Sequence, residues 1–244
     1  MKQTTLTVTE NTRLADGIYR LRLAGDTSAI TAPGQFVNLK LSGFFLRRPI
    51  SVCDWSDGEL TLIYKVLGHG TEAMTGMAVG TELDALTGLG NGFDLSRSGE
   101  HPLLVGGGVG IPPLYGLAKR LTAQGKRVTA VMGFNRKTEI FLAEEFRALG
   151  AEVVIATADG SAGIHGLVTD GMAAVSDYTY LYTCGPEPML KAVYDACKTS
   201  GQFSFEERMG CGFGTCMGCS CKTKYGNKRI CKDGPVLEKE EIVW

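Results

Sequence analysis

The stretch that decides the fold spans residues 103–113 and reads Leu-Leu-Val-Gly-Gly-Gly-Val-Gly-Ile-Pro-Pro. Its apolar run predicts a buried strand, and the glycines that follow predict a tight turn. Pro112 or Pro113 then fits the first turn of a helix, where a proline is well tolerated. Four glycines in five residues are more than an ordinary strand–helix turn needs, which indicates that a ligand approaches the backbone here.

The chain beyond this stretch continues to alternate strands with helices. Such alternation predicts βαβ units and a parallel sheet. We therefore expect a parallel-sheet α/β nucleotide-binding domain over residues 100–201. Strands are predicted at 103–105, 128–133, 153–156 and 180–183, and helices at 112–124, 137–149, 166–175 and 187–200.

The chain before this stretch shows a different pattern. Short runs alternate polar and apolar residues and are bounded by turn residues, at 4–9, 18–23, 36–41, 50–53 and 60–66. Short strands at this spacing predict a small antiparallel β-barrel, which we place at residues 1–99. One short helix fits near 71–77, with Thr71 as its N-cap.

Residues 202–244 lack regular periodicity but hold four cysteines, Cys211, Cys216, Cys219 and Cys231, spaced C-x4-C-x2-C-x11-C. This spacing is the plant-type [2Fe-2S] pattern, in which three thiolates on one glycine-rich loop and a later fourth hold two irons. We expect a small [2Fe-2S] segment that the cluster itself organises.

Two other interpretations of these cysteines are weaker. Zinc sites usually present two C-x2-C pairs, and only one is present here. A disulfide framework belongs to secreted chains, and residues 1–14 lack the apolar core of a signal peptide. Cys221 lies two residues after Cys219 and is expected to be a bystander, because C-x4-C-x4-C is not the cluster pattern.

The overall composition limits the classes of protein to which this chain can belong. The chain has 244 residues, 44% of them hydrophobic, which is enough for two small domains with real cores. Its net charge of −1 gives no electrostatic reason to expect nucleic acid as a ligand. No apolar run approaches the length needed to span a bilayer.

Two features of the barrel predict a dinucleotide site. Residues 47–51 read Arg-Arg-Pro-Ile-Ser at the start of a strand, and a glycine loop leads from Gly68 into the short helix. Arg48 and the N–H groups of Gly70 and Thr71 are positioned to clamp a pyrophosphate. Ser51 would then place its hydroxyl near a flavin ring. Taken alone, each feature also fits an ordinary solvated turn.

Two features of the α/β domain predict a second nucleotide site. The glycine stretch ends in a proline where the G-x-G-x-x-G fingerprint has its third glycine. Residues 184–190 read Cys-Gly-Pro-Glu-Pro-Met-Leu at the end of a strand, where open α/β sheets bind ligands. Arg136 follows the second strand, where it would either meet a 2′-phosphate or remain solvated.

An all-β barrel followed by this α/β domain resembles the ferredoxin-NADP reductase superfamily over residues 1–200. Members use the G-x-G-x-x-P form to bind the nicotinamide nucleotide and carry C-G-P-x-x-M beside it. In those relatives the cysteine, here Cys184, approaches the site of hydride transfer. The resemblance implies an NAD site formed by Gly106, Gly107, Gly108, Gly110, Pro112, Cys184, Gly185, Pro186 and Met189.

Residues 208–219 and 231–235 extend the resemblance over the full length to the electron-transfer subunits of the dihydroorotate dehydrogenase B family. That family implies [2Fe-2S] ligation by the four cysteines. Reductase relatives often carry a tyrosine where this chain has Ile50, so aromatic stacking on the flavin from that position is lost. The family also implies an FAD site formed by Arg48, Pro49, Ile50, Ser51, Ile63, Tyr64, Lys65, Gly70 and Thr71.

The resemblance implies a cytoplasmic oxidoreductase subunit of de novo pyrimidine biosynthesis. Electrons from a separate FMN-containing, dihydroorotate-oxidising subunit would pass through the cluster and FAD to NAD+, in a heterotetramer with two copies of each subunit. A related subunit, of the ferredoxin:NADP oxidoreductase or hydrogenase diaphorase type, is the nearest alternative. A zinc-stabilised, nucleotide-sensing binding module is the alternative from another class.

Overall fold

The computed structural model describes all 244 residues and begins with a closed antiparallel barrel, as predicted. Strand order around the barrel is β1-β2-β5-β4-β3-β6. Strand β6 (Glu82–Leu89) was not predicted, although its residues alternate between buried and less buried positions, as a barrel strand requires. The strands are β1 (Lys2–Ala15), β2 (Ile18–Gly25), β3 (Phe36–Leu39), β4 (Arg48–Ser56), β5 (Glu59–Lys65) and β6 (Glu82–Leu89).

Helix α1 (His69–Thr75) follows β5 and begins two residues earlier than predicted. Gly68 occupies the N-cap, so the prediction of Thr71 as N-cap is wrong. Thr71 lies in the first turn instead, and its hydroxyl accepts hydrogen bonds from the backbone N–H groups of Leu67 and Gly68 at 2.9 and 3.3 Å. The side chain thereby fixes the loop that enters the helix.

A seven-stranded sheet forms the second half of the molecule, in the order β10-β9-β8-β7-β11-β12-β15. The first six strands are parallel and the last is antiparallel to its neighbour. The strands are β7 (Pro102–Gly107), β8 (Thr129–Phe134), β9 (Glu152–Thr157), β10 (Ile164–His165), β11 (Tyr180–Cys184), β12 (Gly201–Ser204) and β15 (Val236–Glu238).

Helices cover both faces of this sheet, as an α/β fold requires. One buried cluster joins α2 and α3 to alternate residues of the sheet such as Leu104 and Tyr182, and a second joins α4 and α5 to Leu103 and Leu181. No helix in the structure is long and apolar enough to cross a membrane. The helices are α2 (Ile111–Ala123), α3 (Ala143–Ala148), α4 (Val168–Ala173) and α5 (Glu187–Ala196).

The helix predicted over residues 137–149 is interrupted. A single 3-10 turn covers Lys137–Glu139, and α3 begins only at Ala143. Leu142 between them has φ of 63°, a left-handed conformation that a right-handed helix cannot contain. The segment therefore forms a loop over the carboxyl end of the sheet before it becomes helical.

The C-terminal region is more regular than predicted. It contains the hairpin β13 (Ser220–Thr223) and β14 (Gly226–Arg229), followed by α6 (Ile230–Asp233). Strand β15 then pairs with β12 at the edge of the large sheet. The expectation that the tail packs back on the protein is confirmed, since Leu237 and Ile242 are buried.

The barrel and the sheet pack together through α2 and β4. A β-carbon on Gly116 would lie 2.6 Å from the carbonyl oxygen of Cys53, so the helix and the strand meet at backbone contact. The guanidinium of Arg120 lies 3.5 Å from the ring centre of Trp55, and Lys119 pairs with Asp54 at 2.5 Å. These contacts fix the two halves on either side of one cleft.

Candidate functional site

A cavity of about 680 Å³ lies between the barrel and the sheet. On the sheet side it is bounded by the loops after β7 and β11, which are adjacent strands whose connections run to opposite sides of the sheet. Open α/β sheets bind ligands at such a switch point. The volume lies in the range of small-molecule and cofactor sites.

Most of the residues predicted to hold FAD line the barrel side of this cavity. Tyr64 packs against Tyr19 with ring centres 5.8 Å apart, and its hydroxyl donates to Asn11 Oδ1 at 3.3 Å. Burial raises the pKa of Tyr64, so its hydroxyl stays neutral near pH 7. The predicted residues on this wall are Pro49, Ile50, Ser51, Ile63, Tyr64, Lys65 and Thr71.

Arg48 and Gly70 do not line the cavity but lie against each other at its edge. A β-carbon on Gly70 would come within 1.9 Å of Arg48 Nε, so only glycine lets the guanidinium rest on the start of α1. The Arg48 guanidinium also lies 4.9 Å from the Phe44 ring centre. A cation is thus placed beside the N–H groups of the loop that leads to Thr71.

Arg47, the other arginine of this motif, turns away from the cavity. It donates to the backbone oxygens of Asn38 and Asp84 at 3.3 and 2.9 Å and to Asp84 Oδ2 at 2.8 Å. Arg47 therefore connects β3 to β6. Of the two arginines in residues 47–51, Arg47 stabilises the barrel and Arg48 lies at the edge of the cavity.

The two predicted nicotinamide motifs touch each other. A β-carbon on Gly110 would lie 2.2 Å from the carbonyl oxygen of Cys184, and one on Gly107 would lie 2.5 Å from Met189 Sδ. Gly106 and Pro112 are buried in β7 and α2 and do not reach the cavity. The remaining predicted residues line it: Gly107, Gly108, Gly110, Cys184, Gly185, Pro186 and Met189.

Cys184 ends β11 at the centre of this wall. Burial raises the pKa of its thiol to about 12, so the group is neutral at physiological pH. A neutral thiol is a poor nucleophile. Cys184 is therefore suited to pack against a bound ring and not to attack it.

Several cavity residues were missed by the sequence analysis. Glu139 lines the site, and its Oε2 accepts a hydrogen bond from Asn135 Nδ2 at 2.8 Å. Arg136, by contrast, was named in the sequence analysis as a residue that would either meet a 2′-phosphate or remain solvated. It is largely exposed and does not line the cavity, and its Nε lies 3.4 Å from Glu139 Oε1. Phe36 and the segment 204–207 also line the cavity, and no local motif marked them.

The four cysteines of the predicted cluster lie in two close pairs. The backbone N–H of Cys211 points at Cys216 Sγ at 3.5 Å, and the N–H of Cys231 points at Cys219 Sγ at 3.4 Å. Two pairs of cysteines match the ligand set of a two-iron cluster, in which each iron takes two cysteines.

Backbone N–H groups surround the sulfurs of this loop. Thr215 and Cys216 donate to Cys211 Sγ at 3.3 and 3.4 Å, and Gly218 donates to Cys216 Sγ at 3.4 Å. Burial opposes ionisation of Cys211, but hydrogen bonds from the backbone N–H groups of Cys216, Phe213 and Thr215 outweigh it and lower the pKa of its thiol to about 6. The loop thus favours a thiolate at Cys211, which is the form that binds iron.

The second pair is more enclosed. Burial, together with the neighbouring Cys219 sulfur, raises the pKa of Cys231 to about 12. A bound cation would reverse this, because a coordinating thiol is deprotonated outright. Cys221 lines a small separate pocket together with Trp244.

The cluster loop adjoins the cavity. Met209, just before the first ligand, and Pro235, just after the last, both line its wall. A β-carbon on Gly90 of the barrel would lie 2.5 Å from Pro235 Cδ, so the cluster segment rests directly on the barrel. The two sets of residues predicted to bind nucleotides therefore line one cleft, and residues that flank the cysteine loop border it too.

Comparison with solved structures gives the same architecture. A chain of an NADH-dependent reduced ferredoxin-NADP oxidoreductase, described for flavin-based electron bifurcation, matches with a TM-score of 0.89 and 28% identity over 98% of this chain and 90% of that one. A ferredoxin NADP+ reductase from Neisseria gonorrhoeae with bound FAD and NADP shares the fold at 17% identity, with a TM-score of 0.69 over 80% of this chain and 90% of that one.

Two family models match the sequence. Residues 104–195 match the oxidoreductase NAD-binding domain, and residues 206–243 match the iron-sulfur cluster binding domain of dihydroorotate dehydrogenase B. With the barrel and the cleft described above, these matches define a flavoprotein reductase of the ferredoxin-NADP reductase type that carries an iron–sulfur cluster.

Relatives that match over their full length identify the family of this chain. The dihydroorotate dehydrogenase B (NAD(+)) electron transfer subunit of Shouchella clausii is 44% identical, covering 99% of this chain and 98% of the relative. The subunit of the same name from Fusobacterium nucleatum is 41% identical, covering 99% of each. The chain belongs to the family of dihydroorotate dehydrogenase B (NAD(+)) electron transfer subunits.

Proposed function

We propose that this chain is the electron-transfer subunit of a dihydroorotate dehydrogenase of the NAD+-linked type, acting in pyrimidine biosynthesis in the cytoplasm. An FMN-containing partner oxidises dihydroorotate to orotate, and this chain delivers the electrons to NAD+. We infer a heterotetramer with two copies of each subunit. The relatives named above, which match over their full length, support the assignment.

One observation carries the proposal: two sets of residues that match dinucleotide-binding motifs line the same cleft, and Met209 and Pro235, which flank the loop of four cysteines, line it as well. A one-electron centre next to a two-electron site is what an electron-transfer subunit needs. When bound, the [2Fe-2S] cluster carries single electrons, and FAD pairs them so that NAD+ can be reduced by hydride.

We assign the barrel wall of the cleft to FAD. Arg48, with the N–H groups of Gly70 and Thr71, would neutralise the pyrophosphate, and Ser51 would donate its hydroxyl to the flavin. Pro49, Ile50, Ile63, Tyr64 and Lys65 would enclose the ring system.

We assign the sheet wall to NAD. Gly107, Gly108 and Gly110 would bind the pyrophosphate, with Gly106 and Pro112 buried behind them in the strand and in the first turn of the helix. The turn from Cys184 to Met189 would hold the nicotinamide against the flavin, where the neutral Cys184 thiol would exclude water and would not add to the nicotinamide ring.

We assign the iron–sulfur cluster to Cys211, Cys216, Cys219 and Cys231. The N–H groups of Thr215, Cys216 and Gly218 would stabilise the additional negative charge of the reduced state and so raise the cluster potential. Residues 1–99, 100–201 and 202–244 would then be the FAD, NAD and cluster regions.

An anaerobic absorbance titration of the purified chain with NADH tests the proposal. Bleaching of a flavin band and of a broad iron–sulfur band by the same addition is the expected result. A chain that carries both chromophores but is not reduced by NADH would contradict it. A colourless chain would be analysed for iron and zinc, and stoichiometric zinc would favour the binding-module alternative.

A second candidate is a subunit of a ferredoxin-NADP oxidoreductase, because one such protein is 28% identical over nearly the whole chain. The partner distinguishes the two. Co-expression with an FMN-type dihydroorotate-oxidising subunit should give a stable complex with dihydroorotate:NAD+ activity. Failure to form that complex, with NADH reduction intact, would favour the second candidate.

A further inference from the structure

Strand β3 has two faces with different roles. Val37 and Leu39 point into the barrel and belong to its core. Because side chains alternate along a strand, Phe36 and Asn38 point outward, towards the C-terminal segment. Both outward side chains are nevertheless buried, at 3% and 1% exposure. The C-terminal segment therefore packs on this face of the strand.

Phe36 takes part in both the cleft and the buried cluster that holds two of the cysteines. It lines the cavity beside Ser51, its cross-strand partner on β4. It also belongs to the same buried apolar cluster as Cys219 and Cys231. One aromatic side chain thus borders the proposed flavin wall and shares a continuous buried apolar cluster with the second cysteine pair.

Asn38 reaches the first cysteine pair. Its Nδ2 donates to the backbone oxygen of Cys211 at 3.4 Å. A β-carbon on Gly212 would lie 2.3 Å from the same Nδ2, so the loop approaches this amide as closely as glycine permits. Asn38 Oδ1 is buried and has no hydrogen-bond partner in the chain. A buried polar atom of this kind usually marks a functional constraint or a bound group.

The backbone of Asn38 is also held in place. Arg47 donates to its carbonyl oxygen and pairs with Asp84, which fixes β3 against β6. Asn38 aligns with Pro49 on β4, next to the residues assigned to the flavin. A shift of the cluster loop relative to Asn38 is therefore a shift relative to the flavin wall.

We propose that Phe36 and Asn38 form a positioning element that fixes the cluster loop against the flavin wall, and that Asn38 controls the rate of electron exchange between cluster and flavin. The inference rests on the proposed function. Asn38 is a positioning residue, because it acts through the Cys211 backbone and the placement of the loop.

A neutral amide suits this position. Leucine has a similar shape but no donor for the Cys211 carbonyl, so Asn38→Leu releases the loop from the strand. Aspartate keeps the shape, cannot donate, and adds an anion beside the thiolates. Asn38→Asp should therefore both loosen the loop and lower the cluster potential, because negative charge disfavours the reduced cluster.

The test is a stopped-flow reduction of the complete chain by NADH, with the flavin and iron–sulfur bands followed in the same transient. For Asn38→Leu and Asn38→Asp we expect wild-type iron and FAD contents, an unchanged flavin phase, and a cluster phase slower by about 10-fold. Hydrogen exchange of residues 210–218 should be faster in both variants. Thr61→Val, a polar-to-apolar change on β5 outside the cleft, serves as the control.

Each outcome decides the inference. Wild-type cluster phases and exchange rates in fully loaded variants would overturn it. Loss of the cluster from both variants with FAD retained would also overturn it, because Asn38 would then hold the loop together and not set its distance. If the unmodified chain showed no NADH-dependent cluster bleaching, the proposed function would fail instead.

Discussion

Gly110 lies so close to Cys184 that a β-carbon on it would meet the Cys184 carbonyl oxygen at 2.2 Å. The glycine loop after β7 and the turn after β11 are therefore fitted to each other at the backbone level, and neither can move alone. Their shared shape forms the sheet wall of the cleft.

Gly110→Ala should disturb the nicotinamide wall and leave the flavin wall unaffected. The added methyl group must push the two loops apart, at a cost of about 1–3 kcal/mol. We expect weaker NADH binding by equilibrium titration, with FAD content unchanged. Gly76→Ala is the matched control, since its φ is −88° and its nearest contact is 3.8 Å away. Equal loss of FAD would contradict the assignment of the two walls.

Arg48→Ala should weaken FAD binding by about 1.5–3 kcal/mol, the value of a hydrogen bond to a charged group. The dissociation constant of FAD, measured by fluorescence after removal of the flavin, reports the change. Arg22→Ala removes an equally charged side chain that is 53% exposed on the barrel, and it should bind FAD normally. Unchanged affinity in Arg48→Ala would remove this residue from the site.

Cys216→Ser should abolish the iron–sulfur band while most of the FAD stays bound, because the flavin residues are on the barrel. Iron, sulfide and flavin analyses on the same sample measure both effects. Cys221→Ser should keep the cluster, since Cys221 lies in the separate pocket beside Trp244. Parallel loss of flavin and iron would mean that the flavin site depends on the cluster segment.

Glu139→Gln should reduce the preference for NADH over NADPH. The Glu139 carboxylate lines the cavity beside Asn135, where it would accept a ribose hydroxyl and repel a 2′-phosphate. We expect the ratio of kcat/KM values to fall about tenfold, or ~1.4 kcal/mol. Glu144→Gln, an exposed change on α3, should leave the ratio unaltered. An unchanged ratio in Glu139→Gln would locate the adenosine end elsewhere.

Asp84→Asn should make the chain less stable at neutral pH but not in acid. The hydrogen bond from Arg47 lowers the pKa of Asp84, so the carboxylate contributes stability above its unfolded pKa of about 4. That contribution is lost as the pH falls through the lower folded value. Because Asp84 is about one-third exposed, we expect only ~1 kcal/mol at pH 7. Urea unfolding at several pH values, with Asp57→Asn as the exposed control, should show the difference vanish in acid.

The cysteine and glycine motifs of this chain could be predicted from the sequence because each depends on residues that are close together in the chain. Each glycine loop, and the group Cys211, Cys216 and Cys219, lies within a short stretch of sequence, and only Cys231 is more distant. The residue types in each motif follow from the ligand that the motif would hold. Short runs of alternating polar and apolar residues likewise predicted the barrel, and the alternation of strands with helices predicted the parallel sheet. The interruption of the helix over residues 137–149 was not predicted. Leu142 adopts the left-handed conformation there, and a leucine in the sequence does not indicate that conformation.

The remaining site residues required the tertiary structure. Phe36 borders the cleft from β3 and also packs in one buried cluster with residues of the C-terminal segment, and Glu139 borders it from the loop that precedes α3. Arg47 and Arg48 are neighbours in sequence, yet only the fold separates the one that ties strands together from the one at the site edge. Such roles depend on partners far away in the chain.

Strand β15 occupies the outer position of the seven-stranded sheet, beyond the last cysteine. A chain cut before residue 205 would expose the whole edge of β12, with unpaired N–H and C=O groups that invite aggregation. The iron–sulfur region is therefore not an independent domain that could be removed or exchanged, as a separate ferredoxin could be. A cluster-free variant of this protein is better obtained by single cysteine substitutions than by truncation.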